Sequence, residues 1–282
     1  MMRLSRTDTE EDGTLMNTGM TVLSHGIICR KPDQLFGYYA WPSVAALPDG
    51  TLIAASSGMR MGHICNFGRV TTFESRDQGA TWRGPTVVCD TPLDDRDAGL
   101  LSLGGNRLLL SWFNLETKYF EAFRSWREKN LTLQERTLCD AMAMPYNDAL
   151  NQAHAGSFVR ISEDGGITWG DAHRVPVTTP HGPALLPDGS LLFLGKEFVQ
   201  KEGDGPLFAY RSADEGKTWQ YAGQPPLPPQ TTWSNFFEPH ALALPDGRVL
   251  AHLRYQHAKG STAYAPFTIF QTESLDGGVT WS

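Results

Sequence analysis

No run in this chain approaches the roughly 18 consecutive apolar residues that a membrane-spanning helix needs. The first twenty residues, MMRLSRTDTEEDGTLMNTGM, carry acids where a secretory leader requires an unbroken apolar core, so the expected location is cytoplasmic. Basic charge is also scarce. With 24 Lys and Arg against 31 Asp and Glu, the net charge of −7 would repel nucleic acid and anionic membranes alike, leaving a small-molecule or glycan partner. Cysteine is sparse, too: Cys29, Cys65, Cys89 and Cys139 stand far apart, without the CxxC or Cys/His spacing of a metal site, and read as free, mostly buried thiols. No cofactor is implied.

Turn formers are what the chain does have. Its 28 glycines and 18 prolines are spread along 282 residues at intervals that suit strands and turns rather than a disordered tract. An eight-residue phrase recurs four times: SRDQGATW (75–82), SEDGGITW (162–169), SADEGKTW (212–219) and SLDGGVTW (274–281). Ahead of each lies a second element, LPDGTLIAAS (47–56), LGGNRLLLSW (103–112), LPDGSLLFLG (186–195) and LPDGRVLAHL (244–253), in which a tight turn separates two apolar runs. That is a β-hairpin signature. A third apolar segment (RVTTFE, HAGSFVRI, PLFAYR, PFTIFQ) precedes each phrase, which predicts an up-and-down sheet of about four strands per unit. Such sheets bury both faces by stacking around an axis, as β-propeller blades of roughly 40 to 50 residues.

The phrases begin at 75, 162, 212 and 274, so successive intervals are 87, 50 and 62 residues. The long interval holds a blade plus an insertion over 115–155. The insertion's KYFEAFRSWREKN (118–130) sets Tyr119, Phe123 and Trp126 on one face of a helix, placed either as a lid on the ligand or as a helix on the rim.

The phrase SxDxGxTW resembles the Asp-box of the sialidase (neuraminidase) superfamily, also called the BNR repeat. The resemblance covers the chain from about Met20, after an N-terminal tail of residues 1–19, and implies an all-β, six-bladed propeller of which about four blades are present here. It implies further that the chain is truncated, with residues 15–31 a candidate for the strand that closes the ring. In that family the box lies on the turn between third and fourth strands, away from the active site. Asp77, Asp164, Asp214 and Asp276 are suited to accept backbone N–H groups across that turn, and Trp82, Trp169, Trp219 and Trp281 to pack between blades. The boxes are therefore structural.

Ligands of a propeller sit at one end of its channel, where first strands begin and second strands end. Trp41, Asp97 and Glu238 each stand eight residues ahead of the turn residues Asp49, Gly105 and Asp246, and His181 and His240 fall close to the same offset. The ends of the second strands add Arg60, His63, Asn114, Lys196, Glu197 and Arg254, and Asp95 and Arg96 adjoin Asp97. Carboxylates, arginines and histidines around one opening suit an enzyme acting on an acidic sugar, since the arginine fork grips a carboxylate at two points. His181, Glu238 and His240 lack diagnostic metal spacing, and no metal is assigned.

The resemblance implies a mechanism with three arginines, an acid Asp and a Tyr nucleophile activated by Glu, and here the sequence departs from it. The first arginine's place in the motif Tyr39–Pro42 is held by Ala40, and HICNFGRVTTFE (63–74) holds no aspartate. The expected activity is a sialidase-like glycoside hydrolase with a rebuilt ring. Asp97 serves as acid or base and Glu238 as second carboxylate; Arg60, Arg96 and Arg254 anchor the anionic group, and His181 and His240 orient hydroxyls. The alternatives are a non-catalytic propeller that binds glycan or protein, and a propeller lyase or epimerase using the same groups to abstract a proton.

Overall fold

The computed structural model describes residues 25–197, 205–256 and 264–282. Among them the chain forms four antiparallel sheets in sequence order, a four-bladed propeller. The first blade is β1 (Tyr38–Ala46), β2 (Leu52–Arg60), β3 (Arg69–Ser75) and β4 (Arg83–Cys89). The second is β5 (Asp94–Gly104), β6 (Arg107–Leu115), β7 (Ser157–Ser162) and β8 (His173–Val175). In the third, β9 (Val177–Thr178) and β10 (Ala184–Leu185) both pair with β11 (Leu191–Glu197), followed by β12 (Leu207–Ser212) and β13 (Gln220–Gly223). Its first strand is cut in two because Pro180 and Pro183 have no N–H to give a ladder, and Gly182 turns left-handed at φ +77°. The fourth blade comprises β14 (Phe236–Ala243), β15 (Val249–Gln256) and β16 (Phe267–Ser274).

Three apolar cores lie between successive blades. Alternation along a strand sends neighbouring side chains to opposite faces, so β6 gives Leu108 and Leu110 to the core shared with the first blade and Leu109 to the core shared with the third. On β11, Leu191 and Phe193 face the second blade, and Leu192 and Leu194 the fourth. These leucines are essentially fully buried, each contributing about 1.5–3 kcal/mol of transfer free energy. A strand buried on both faces reads as an unbroken apolar run, which is why LLL and LLFL occur where they do.

The four boxes are built alike. Asp77 accepts from Ser75 Oγ (2.8 Å), the Thr81 N–H (2.8 Å) and Thr81 Oγ1 (2.6 Å), and Trp82 Nε1 donates to the Gly79 carbonyl (3.1 Å). Asp164, Asp214 and Asp276 repeat the arrangement. The glycine beneath each ring, Gly79, Gly166, Gly216 or Gly278, has φ of 88 to 94°, a conformation that a Cβ would strain. Trp169, Trp219 and Trp281 pack against the three interblade cores. Register places this masonry: Leu52 pairs with Ser75, Leu191 with Ser212 and Val249 with Ser274, so boxes and hairpin turns share one end of the sheets. The opposite end holds the starts of the first strands and the ends of the second.

Hydrogen bonds from the neighbouring Thr hold each box carboxyl at about 2, against an ordinary 3.8. A depressed acid pKa stabilises the fold fully above the ordinary value, and that contribution disappears as pH falls through the lower one. The boxes' share of the thermal midpoint, followed by circular dichroism, should therefore be complete above about pH 4 and be lost between about pH 4 and pH 2.

The insertion departs from a single helix. It folds as α1 (Thr117–Ala122), α2 (Arg124–Asn130), α3 (Leu133–Ala143) and α4 (Asp148–His154), with the first two broken apart at Phe123. The buried aromatic is Phe120, which meets Tyr146 edge-on and carries the Arg127 guanidinium on its face, while Tyr119 sits beside Lys118. The N-terminal tail and most of the proposed closing strand lie outside the described residues; residues 25–31 form no strand. All four cysteines are free, and three of them are buried.

Candidate active site

First strands adjoin one another around the axis, β1 beside β5, β5 beside β10 and β10 beside β14. Three of them carry the same irregularity. Ala40 pairs with Ser57 but Ser43 with Ala55; Arg96 pairs with Phe113 but Gly99 with Ser111; Phe237 pairs with Arg254 but His240 with His252. Each first strand thus holds one residue more than its partner, a β-bulge. The residue opening the bulge is Trp41, Asp97 or Glu238, at φ of 51, 54 and 47°. Left-handed φ in a non-glycine residue is uncommon and persists only where its surroundings enforce it. The shared sequence offset is therefore a shared backbone device that re-aims one side chain per blade.

Two clusters result. In the first, the Arg96 guanidinium lies 4.6 Å from the Trp41 ring, the His63 ring meets Trp41 edge-on at 5.0 Å, and Arg96 Nε donates to Asp97 Oδ2 (3.2 Å). Asp97 is only 7% exposed, and its Oδ1 is buried without a hydrogen-bond partner. Burial pushes its carboxyl above the usual range, opposed by the charge of Arg96. Burial likewise lowers the His63 pKa, helped by Arg96 and Arg60.

In the second cluster, Glu238 receives a charge-assisted bond from Arg254 Nη1 (2.6 Å), both side chains being well exposed. The His181 and His240 rings meet at 5.2 Å. Partial burial lowers the pKa of both, and the carboxylates of Glu238 and Asp97 pull His181 the other way. The His181 backbone lies against Gly99 of the second blade, which brings this pair beside β5. Arg96, Asp97, His181, Glu238, His240 and Arg254 gather at one end of the sheets.

Other expected residues sit deeper. Arg60 is fully buried; it donates to Gly62 O, His63 O, Asp95 O and Asp94 Oδ2 and is ion-paired with Asp94, so its guanidinium is turned into the protein rather than towards a ligand. Asp95 is also fully buried; it accepts from Thr91 and Trp112, and burial pushes its carboxyl up to about 7. Asn114 ties down the return of the insertion through the His154 carbonyl and the Gly156 N–H. Lys196 lies 4.7 Å from the Phe237 ring, and Glu197 is exposed at the end of β11, within the field of the Tyr210 hydroxyl.

Sequence reasoning passed over Phe237, whose ring faces both Lys196 and Arg254, and Phe113 beneath Arg96. Their positions one residue before Glu238 and one before Asn114 were the available signal. Above the first cluster, Phe123 stands 6.3 Å from His63, and Trp126 covers Gly62, so the break between α1 and α2 presents an aromatic to the opening.

A propeller of Asp-box blades defines the class, and comparison with known proteins agrees. The BNR repeat-like domain family matches residues 125–282, more than half of the chain, and the protein belongs to that family. Among solved structures it is similar to a protein of unknown function from Dyadobacter fermentans, at 21% identity and TM-score 0.62 over 91% of this chain and 70% of that one. It is similar also to the intramolecular trans-sialidase of Ruminococcus gnavus, at 17% identity and TM-score 0.56 over 88% of this chain and 70% of that one. The leech intramolecular trans-sialidase matches at 18% identity and TM-score 0.59, over 94% of this chain but 53% of its own. These likenesses show the sialidase propeller fold. No curated protein matches by sequence.

Proposed function

We propose that the mouth is the active site of a glycoside hydrolase that removes a terminal acidic sugar, sialic acid or a relative, from a glycan. The observation carrying this reading is the pair of carboxylates, Asp97 and Glu238, aimed by matching bulges from two blades into dissimilar environments. Asp97, buried and with its pKa raised by that burial, is the general acid that protonates the leaving oxygen. Glu238, exposed and ion-paired with Arg254, is the second carboxylate, acting on the anomeric carbon directly or through water. Arg96 and Arg254 receive the sugar's carboxylate, with Lys196 on the Phe237 ring that Arg254 also faces, and His181 and His240 take its hydroxyls. Trp41 and Phe123 offer faces for the ring. Arg60, Asp95 and Asn114 hold the scaffold behind them.

This differs from the sialidase arrangement in using Asp97 where the blade-one loop has no aspartate and in lacking an arginine at Ala40. The test is release of methylumbelliferone from a panel of sugar conjugates that includes the α-sialoside. Release from an acidic-sugar conjugate is expected. Glycan binding without release would make the protein a non-catalytic BNR propeller, and an unsaturated product would make it a lyase.

A further inference from the structure

A left-handed bulge needs something to hold it, and both carboxylate-bearing bulges are held in one way. The Asp97 N–H donates to Ser57 Oγ at 2.7 Å; Ser57 is fully buried and belongs to β2 of the preceding blade. At the other bulge, Thr179 Oγ1, from the broken first strand of the third blade, donates to the carbonyl of Pro239, the residue after Glu238. Thr179 is 4% exposed. Both hydroxyls are buried. Each reaches across an interblade gap to the backbone of the bulge itself.

The chemistry of these bonds explains why they are hydroxyls. A bulge leaves backbone groups outside the strand ladder, and a buried orphan N–H or C=O is costly. Ser57 meets a donor and Thr179 an acceptor, and a hydroxyl satisfies either by rotating its proton. Ser57 meets Ala40 and Val70 through the backbone ladder of its own sheet, a pairing that does not use its hydroxyl. The pins also fix relative position. Since Asp97 is tied to the first blade and Glu238 to the third, the gap between their carboxyl groups is set by how blades are locked rather than by either bulge alone.

We infer that Ser57 and Thr179 are positioning residues that aim the two working carboxylates, Ser57 through the backbone of Asp97 and Thr179 through that of Glu238. The inference rests on the proposed roles of Asp97 and Glu238, and its test separates the two. Ser57→Ala and Thr179→Val remove the hydroxyls, while Ser57→Thr and Thr179→Ser keep them. Misplacing a reacting group by about 1 Å costs on the order of 100-fold in turnover, so kcat should fall about 10- to 100-fold with KM little changed, and the hydroxyl-keeping variants should recover it.

A second readout needs no substrate. The carboxyl of Asp97, which faces the charges of Arg96, Arg60 and Asp94 and the titratable rings of His63 and His181, is followed by carbon-13 NMR titration and assigned with Asp97→Asn. In Ser57→Ala the relaxed bulge admits water, and Asp97 should titrate at lower pH than in the wild type; in Ser57→Thr it should return. An unmoved titration overturns the inference, including where Ser57→Ala melts early, because Ser57 would then serve packing alone. Wild-type kcat in both hydroxyl-free variants, alongside an inactive Asp97→Asn, overturns it as well. If Asp97→Asn keeps its turnover, the catalytic reading fails, and the titration still decides what Ser57 does.

Discussion

Asp97→Asn should lose turnover by about 10²- to 10⁴-fold and still melt close to the wild-type temperature. The amide matches the carboxyl in size and keeps an oxygen for Arg96 Nε, so the packing of the bulge is preserved. On the proposed mechanism, what disappears is the proton that the buried acid delivers. Glu238→Gln should lose activity to a similar degree with even less effect on folding, because its ion pair with Arg254 is exposed and such pairs contribute little to stability. Turnover and melting temperature measured on the same preparations check both. Full activity in either variant would remove that carboxylate from the mechanism.

Arg60→Ala should show the reverse pattern. Its guanidinium is fully buried against Asp94, itself 5% exposed, and breaking a buried pair strands the remaining charge at a cost of about 3–5 kcal/mol. For a chain of this size that corresponds to a fall in melting temperature on the order of 10 °C. Arg60→Lys should recover little, since a single ammonium cannot reach the four groups that the planar fork bonds. Thermal unfolding in the two variants is the measurement, and an unchanged midpoint would show that Arg60 is not the clamp that its hydrogen bonds describe.

How much of this was legible in the sequence follows the range of the interactions. A box closes on itself within eight residues, so Asp77 to Thr81 and Gly79 to Trp82 could be read directly and were found as expected. The hairpin turns and the double-faced strands of β6 and β11 were equally local. The common offset of Trp41, Asp97 and Glu238 was visible as a count; that it encodes a left-handed bulge was not, because bulge register depends on which residue of the partner strand lies opposite. Arg60, Arg96 and Arg254 look alike as letters. Three-dimensional surroundings separate them: Arg60 and Arg96 are both buried, Arg60 enclosed by the loop after its own strand and by Asp94 and Arg96 laid on Trp41, while Arg254 reaches solvent. Ser57 and Thr179 act on residues forty and sixty positions away, beyond any pattern within a blade. The break at Phe123 escaped notice because neither proline nor glycine marks it; α2 starts there without a side-chain cap.

The account stands on the mouth being where sugar binds, and a crystal soaked with the best-turned-over glycoside, or with the free sugar, tests that most directly in the Glu238→Gln protein. Density for the ring between Trp41, Arg96, Asp97 and His181, with its carboxylate on Arg96 or Arg254, is the predicted result. Sugar found only elsewhere, for example in the rim groove between Arg174 and Trp219, with the mouth filled by solvent, would contradict it.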